Sequence, residues 1–368
     1  MITITETQIS AILRQFILEE ECAEISAPEE ITTGHINRTY LLEARGTGKG
    51  NLLRRYILQN INTFVFAKPV ELMENIVGVS RFLRGRGGAA LTVYPARDGK
   101  PYFIDEAGGY WRCYNYVENS YSLQAAGSTR DAYRAAKAFG EFQRMLDGFP
   151  IARLHETIPD FHNTDKRYEA LEAAIAENRA GRKEEVAAEI AFARTRRPDC
   201  SLLDPLVKTG KIPVRVTHND TKLNNVLFDK DTHEALCVVD LDTIMPGLSL
   251  YDYGDSLRFL GNTAREDERD LGLVQFSMPL FEAYTRGYLE ACRAALTPDE
   301  IRMLPFSVKL MTYECGMRFL TDYLNGDVYF RVRKPDDNLA RCRTQFKLVE
   351  QIERLLPEME GYVRALGD

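Results

Sequence analysis

The segment VTHNDTKLNNVLFD, residues 216–229, carries four polar residues in the order His218-x-Asp220-x-Lys222-x-x-Asn225. These types at this spacing suit phosphoryl transfer, which asks little covalent chemistry of a protein and much positioning and charge. Asp220 can accept a hydrogen bond from an attacking hydroxyl and take its proton late in the reaction. Lys222 can reach the transferring group and offset its developing negative charge. Asn225 offers a neutral oxygen to a metal, and Asp240, at the end of the next apolar run, offers a charged one. Mg²⁺ prefers hard oxygen ligands and keeps several waters, so two protein ligands plus nucleotide phosphates suffice. His218 reads as a brace for the loop. No cysteine, serine or histidine in the motif is placed as a nucleophile, so direct in-line transfer without a phosphoenzyme is expected. The rival reading is a solvated loop, because Asn and Asp often bond to their own backbone in turns. Four such fixed residues arise by chance on the order of once in a thousand chains of this composition.

Such a loop needs a scaffold. With 368 residues and 45% hydrophobic content the chain can bury a large core, and its length suggests two domains or lobes. A net charge of −7 without a Lys/Arg block argues against a nucleic-acid surface, so an anionic ligand needs a local cation, from a side chain or a metal. The seven cysteines are scattered and lack zinc spacing, which fits reduced thiols in a cytosol. The start of the chain carries no basic leader, and no run of apolar residues is long enough to span a membrane. A soluble, cytoplasmic protein is expected, with a monomer as the default.

Ile9, Leu13, Phe16 and Ile17 recur at helical spacing and predict a helix from Thr5 to about Cys22. EEITTGHINRTYLLEA and NLLRRYILQNI read as two antiparallel strands around the glycine-rich hairpin loop RGTGKGN. A helix starting at Pro69 and stopped by GRGG follows, then strands in LTVYPA and YWRCYNYVE. Residues 1–118 thus form a small sheet lobe with one long helix, preceded by the N-terminal one. Residues 119–368 read as mainly helical. Within them Thr297, Pro298 and Glu300 mark a capped helix start, and NVLFD and ALCVVDLD form a hairpin around KDTHE. The order predicts an α+β, bilobal molecule with a cleft between the lobes. GTGKG fails as a phosphate loop, since the first required glycine falls on Glu43 and the hydroxyl position on Gly50. Asp252 and Asp255 in YDYGDSLRF are expected to buttress the base loop through backbone hydrogen bonds.

At these residues the chain resembles the aminoglycoside phosphotransferase and choline kinase superfamily, with its protein-kinase-like fold. GHINRTYLLE, YILQNIN, THNDTKLNN, DLDTIMPG, YDYGDSLRF and ECGMRFLTDYL followed by GDVYF resemble the N-acetylhexosamine 1-kinase family over nearly the whole chain. The resemblance implies ATP- and Mg²⁺-dependent phosphorylation of the anomeric hydroxyl of N-acetylglucosamine or N-acetylgalactosamine. It implies Asp220 as base, Asn225 and Asp240 as metal ligands, and adenine contacts at Tyr116, Val117 and Glu118. It also implies sugar contacts from His35, Lys222, Phe259, Arg318 and Tyr329. Read from residues alone, Arg318 has Glu314 and Asp322 one helical turn away on either side, a spacing that gives ordinary surface ion pairs. Phe259 and Tyr329 read equally as core aromatics.

Two departures from the wider kinase pattern stand out. The glycine loop is reduced to Gly34, so phosphate cover falls to backbone amides and Asn37. The strand that normally carries a nucleotide-binding lysine reads RRYILQN, placing Gln59 or Arg55 there. Lys222, Arg55 or the metal must then supply the charge, and Glu71 and Glu74 both qualify as the helix acid. Other acceptors of the same fold remain open, among them homoserine, choline, methylthioribose and aminoglycosides. Choline favours an aromatic cage and an aminoglycoside an acidic face. The basic and aromatic acceptor set suits neutral hydroxyl and amide groups better. A catalytically inactive binding module has no need of an intact Asp220, Asn225 and Asp240.

Overall fold

Period-two burial governs the first part of the chain, as it must where a sheet has one wet face and one dry face. The computed structural model describes residues 4–17, 24–32, 36–46 and 53–366. Gly34, His35, Cys22 and the hairpin loop at 47–52 lie outside the described residues. The chain divides into two compact units, the first comprising Met1–Tyr121, Ala152–Ile158 and Leu227–Asp242, the second Ser122–Ile151, Pro159–Val226 and Thr243–Asp368.

The first unit begins with α1 (Glu6–Leu13), then β1 (Glu24–Ile25), β2 (Glu29–Ile31), β3 (Arg38–Arg45), β4 (Leu53–Asn60), α2 (Pro69–Gly85), β5 (Val93–Tyr94), β6 (Phe103–Ile104), β7 (Tyr110–Asn115) and β8 (Ser120–Tyr121). Its main sheet runs β1-β3-β4-β7-β5, with β2 also on β3 and β6 also on β7. Tyr40, Leu42 and Ala44, every second residue of β3, join Tyr56 and Leu58 of β4 and Trp111 and Cys113 of β7 in one core with Ile9, Ile12 and Leu13 of α1. Thr5 and Gln8 close a reciprocal cap at the start of α1. The helix ends at Leu13, earlier than its apolar spacing suggests, because the carbonyls of Arg14 and Gln15 turn to Arg97. Antiparallel registers place Gln59 opposite Thr39 on one side and opposite Arg112 on the other.

The remaining elements are α3 (Thr129–Met145), α4 (Thr164–Glu177), α5 (Ala187–Thr195), α6 (Asp204–Lys208), β9 (Arg215–Thr217), β10 (Val226–Asp229), β11 (Ala235–Val238), β12 (Met245–Gly247), α7 (Ser249–Leu260), α8 (Met278–Cys292), α9 (Pro298–Asn325) and α10 (Asp337–Ala365). The hairpin of β10 and β11 gains β8 as a third strand, with Phe228 opposite Tyr121. In the second unit α9 opens on the expected cap, Thr297 accepting from the Glu300 N–H while Glu300 returns to the Thr297 N–H. Among the described residues no helix is long and apolar enough to cross a membrane.

The packing of α7 against α9 depends on one missing side chain. A Cβ at Gly254 would lie 2.4 Å from the Ser307 carbonyl oxygen and 2.7 Å from Met311 Cγ. Backbone cannot retreat as a flexible side chain can. Gly254→Ala is therefore expected to destabilise the chain by about 1–3 kcal/mol, read as a lower urea midpoint.

Candidate active site

The loop after β9 is gripped from several sides within the second unit. Asn219 takes the left-handed conformation, φ 63°, which a short amide side chain tolerates by bonding locally. Its Nδ2 donates to the carbonyls of Thr217 (3.2 Å) and Thr243 (2.9 Å), and its Oδ1 accepts from Thr217 Oγ1 (3.0 Å). The N–H groups of His218 and Asn219 both donate to the Asp252 carboxylate, at 2.8 and 2.7 Å. The Asp252 carbonyl in turn accepts from Thr221 Oγ1 (2.5 Å), and Ser256 Oγ donates to the Thr221 carbonyl (2.7 Å). Asp252 is the buttress expected of it. Asp255 is not, because it faces inward and pairs with the buried Arg258 at 2.8 Å.

His218 is fully buried edge-on to Phe139 and Phe142, and its Nδ1 accepts the Asp220 N–H at 3.3 Å. The loop is thus held by its backbone, and the Asp220 carboxylate projects with about a quarter of its surface, 24%, exposed. Lys222 Nζ stands 2.8 Å from Asp220 Oδ1. Asp220, chiefly by its charge, raises the lysine pKa above its ordinary value; burial opposes this, and a hydrogen bond to Asp220 and the charge of Asp255 add to it. Asn225 is buried, and its Nδ2 donates to the Asp220 carbonyl at 2.8 Å. Its Oδ1 takes no hydrogen bond among the described residues, which suits a hard-metal ligand.

Beside this loop lies a patch of arginine and aromatic side chains. The Arg318 guanidinium lies over the rings of Phe161 and Phe330, 5.5 and 5.6 Å from their centroids. Neither acid a turn away pairs with it, contrary to the reading from spacing. Glu314 is 1% exposed and accepts from Thr164 Oγ1 at 2.7 Å, with His162 Nδ1 2.8 Å away. Asp322 accepts the N–H groups of Val328, Tyr329 and Phe330 at 2.8–2.9 Å, and Asn338 Nδ2 at 2.8 Å. The reason is burial: α9 is covered along most of its length, so its acids find fixed internal donors instead of a mobile arginine. Tyr329 is exposed and edge-on to Phe330. Phe259 is half-buried near the end of α7. Arg167 donates to the Phe161 carbonyl, and burial, then the charge of Arg318, lowers its pKa.

The first unit holds a second polar cluster. Arg112 on β7 is 1% exposed and lies 2.5 Å from Asp242 Oδ1. This is a charge contact without normal hydrogen-bond geometry at that oxygen. Arg112 Nε donates to Gln59 Oε1 (2.9 Å), and Gln59 Nε2 to Thr39 Oγ1 (2.9 Å). Asn37 Nδ2 donates to Asp242 Oδ2 at 2.5 Å, while its Oδ1 accepts the Asn62 N–H at 2.9 Å. Burial alone would lower the arginine pKa, but Asp242, Tyr114 and Asp240 raise it above the ordinary value. Gln59 thus holds a cation from the neighbouring strand. Arg55 does not occupy that place: it pairs with Glu118 and covers the Tyr116 ring, 4.3 Å from its centroid. Neither helix glutamate reaches Arg112. Glu71 pairs with Lys68 (3.0 Å) and Glu74 with His155 (2.7 Å), while Met73 Sδ lies 3.9 Å from Arg112 Nη1.

At the end of β7 the Val117 carbonyl accepts from Ser120 Oγ at 2.6 Å, and the N–H of Val117 makes no hydrogen bond among the described residues. Asp240 is exposed, in the left-handed conformation at φ 62°. No three His, Cys, Asp or Glu side chains cluster to hold a metal among the described residues, and a set of one amide and one carboxylate would form no such cluster. Two residues escaped the sequence reading. Arg112 is a lone charge in the otherwise strand-like WRCYNY, a signal that could have found it. His162 had none.

The profile of the phosphotransferase enzyme family matches residues 28–297. Among solved structures, a microcompartment-associated aminopropanol kinase superposes with a TM-score of 0.62 at 17% identity, covering 96% of this chain and 98% of that one. An aminoglycoside phosphotransferase from Alicyclobacillus acidocaldarius gives 0.63 at 13% identity, with 96% of each chain covered. An amicoumacin kinase in complex with AMP-PNP and Ca²⁺ gives 0.58 at 14% identity, with 94% and 93% covered. The shared fold is protein-kinase-like, with an antiparallel-sheet N-terminal region and a helical C-terminal region.

Proposed function

The chain belongs to the phosphotransferase enzyme family, and from that premise we propose that it transfers the terminal phosphoryl group of Mg-ATP to the anomeric C1 hydroxyl of an N-acetylhexosamine. The observation that carries the choice of acceptor is the charge of the patch beside the base. Arg318 lies over the Phe161 and Phe330 rings with no carboxylate in ion-pair reach among the described residues. Glu314, Asp322, Asp252 and Asp255 are all bonded internally. These four carboxylates are taken up by internal partners, whereas hydroxyl and amide groups find guanidinium donors and aromatic faces. The sugar itself rests on the motif resemblance.

In this reading Asp220 orients the C1 hydroxyl and receives its proton, and its backbone clamp keeps the carboxylate in place during transfer. Lys222, now against Asp220, neutralises charge on the moving phosphoryl group. Asn225 and Asp240 would each offer an oxygen to Mg²⁺, which when bound would neutralise the phosphate oxygens. Arg112, presented by Gln59, supplies the positive charge that a strand lysine gives elsewhere in the fold, and Asn37 and Gly34 cover the phosphates. The Val117 N–H, with Tyr116 and Glu118 around it, meets adenine. Phe259, Arg318 and Tyr329 would contact the sugar, and the motif resemblance adds His35, which lies outside the described residues.

The test is a transfer screen with ATP and Mg²⁺ against N-acetylglucosamine, N-acetylgalactosamine, galactose, homoserine and choline, read by ³¹P NMR of the product. The expected product is an anomeric sugar phosphate from an N-acetylated hexose, lost when Mg²⁺ is chelated. Turnover of choline or homoserine above both N-acetylhexosamines overturns the acceptor assignment.

A further inference from the structure

His162 lies between the base loop and α9, buried, with each ring nitrogen facing an oxygen. Nε2 is 3.1 Å from the Asn219 carbonyl oxygen, which can only accept, so Nε2 carries a hydrogen. Nδ1 is 2.8 Å from Glu314 Oε1. The other Glu314 oxygen already accepts from Thr164 Oγ1. Burial alone would raise the Glu314 carboxyl, but His162, Thr164 and Arg318 together lower it below its ordinary value, so it stands as a carboxylate and accepts at Oε1 as well.

Charged and aromatic groups surround the ring. From α7 come the charges of Asp252 and Asp255 and the Tyr251 ring, 5.5 Å between centroids; from α9 comes Glu314, with Arg318 as the opposing charge. Phe161 closes the remaining side edge-on at 4.6 Å. Arg258 and Lys222 act on Asp255 from beyond.

We propose that His162 is a positioning residue held with both ring nitrogens protonated, tying Glu314 to the Asn219 carbonyl and so fixing the attitude of Asp220. The N–H and side chain of Asn219 are already bonded to Asp252, Thr217 and Thr243. The peptide that leads from Asn219 into Asp220 is held at its N–H by His218 Nδ1 and at its carbonyl by this ring. This rests on Asp220 as the base and adds a residue through which the base is aimed.

The ring is read directly by ¹⁵N-histidine NMR of the full chain, without substrate, and expected to show a hydrogen on both nitrogens of His162. His162→Gln keeps one N–H for the Asn219 carbonyl but turns a carbonyl oxygen toward the Glu314 carboxylate. Its kcat is expected to fall about 10- to 100-fold, as misplacement of a catalytic group by about an ångström does, with KM for ATP unchanged. Glu314→Gln turns a neutral amide toward Nδ1 and is expected to remove the NMR signature of the second hydrogen. A singly protonated ring in the wild type, or wild-type kcat in His162→Gln, overturns the proposal. Should His162→Gln fail to fold, the NMR result on the wild type decides. Turnover is measured on whichever acceptor the wild type uses. Absence of N-acetylhexosamine phosphorylation alongside a doubly protonated ring defeats the acceptor reading and leaves this one standing.

Discussion

Asp220→Asn is expected to lower kcat by about 10²- to 10⁴-fold, the usual contribution of a positioned general base, while leaving the fold and nucleotide binding in place. The amide matches the carboxylate in shape, but it cannot take the proton of an attacking hydroxyl. Little else should move, because the loop is secured through its backbone: His218 and Asn219 N–H on Asp252, Asp220 N–H on His218, Asp220 carbonyl on Asn225. Lys222 loses the partner that raises its pKa most. It is more than a third exposed, at 37%, so water offsets much of that loss. Kinetics with an N-acetylhexosamine and a urea titration check both halves. Undiminished turnover removes Asp220 from the chemistry.

The largest effect on stability is expected at Arg112. Arg112→Met leaves Asp242 as a buried carboxylate with only the Asn37 amide to satisfy it, and breaking such a pair costs about 3–5 kcal/mol. Gln59 loses its partner too. Adding Asp242→Asn to Arg112→Met removes the stranded charge, so the double variant should recover most of the stability in urea unfolding. Turnover should not return, since the cation proposed for the phosphates is still missing. A single variant as stable as the wild type would sink the structural half of this argument, and a double variant with full turnover the functional half.

The strands and helices were readable because their signals are local. Tyr40, Leu42 and Ala44 alternate, Pro69 starts α2, and Thr297 with Glu300 caps α9, each decided by neighbours within a few residues. The base loop was readable because its polar residues are contiguous in the chain. The convergence of distant residues was not. Gln59 reads as a missing charge until the β4 and β7 register sets Arg112 opposite it. His162 acts only through Glu314 and Asn219, both remote in sequence. On α9 a one-turn spacing rightly placed Glu314 and Asp322 near Arg318, but spacing says nothing about burial, and burial gave both acids other partners.

Asp322 has a practical consequence for anyone wishing to alter what this protein accepts. The stretch 328–330 is clasped by three N–H groups on one carboxylate, so Tyr329 stands on a stiff mount. In the acceptor site proposed above, a stiff wall at Tyr329 would discriminate by refusal: an epimer whose hydroxyl points the wrong way strands a polar group, and no rearrangement rescues it. Relaxing that selectivity therefore begins at Asp322 and Asn338, which hold the mount, ahead of the aromatic tip it carries.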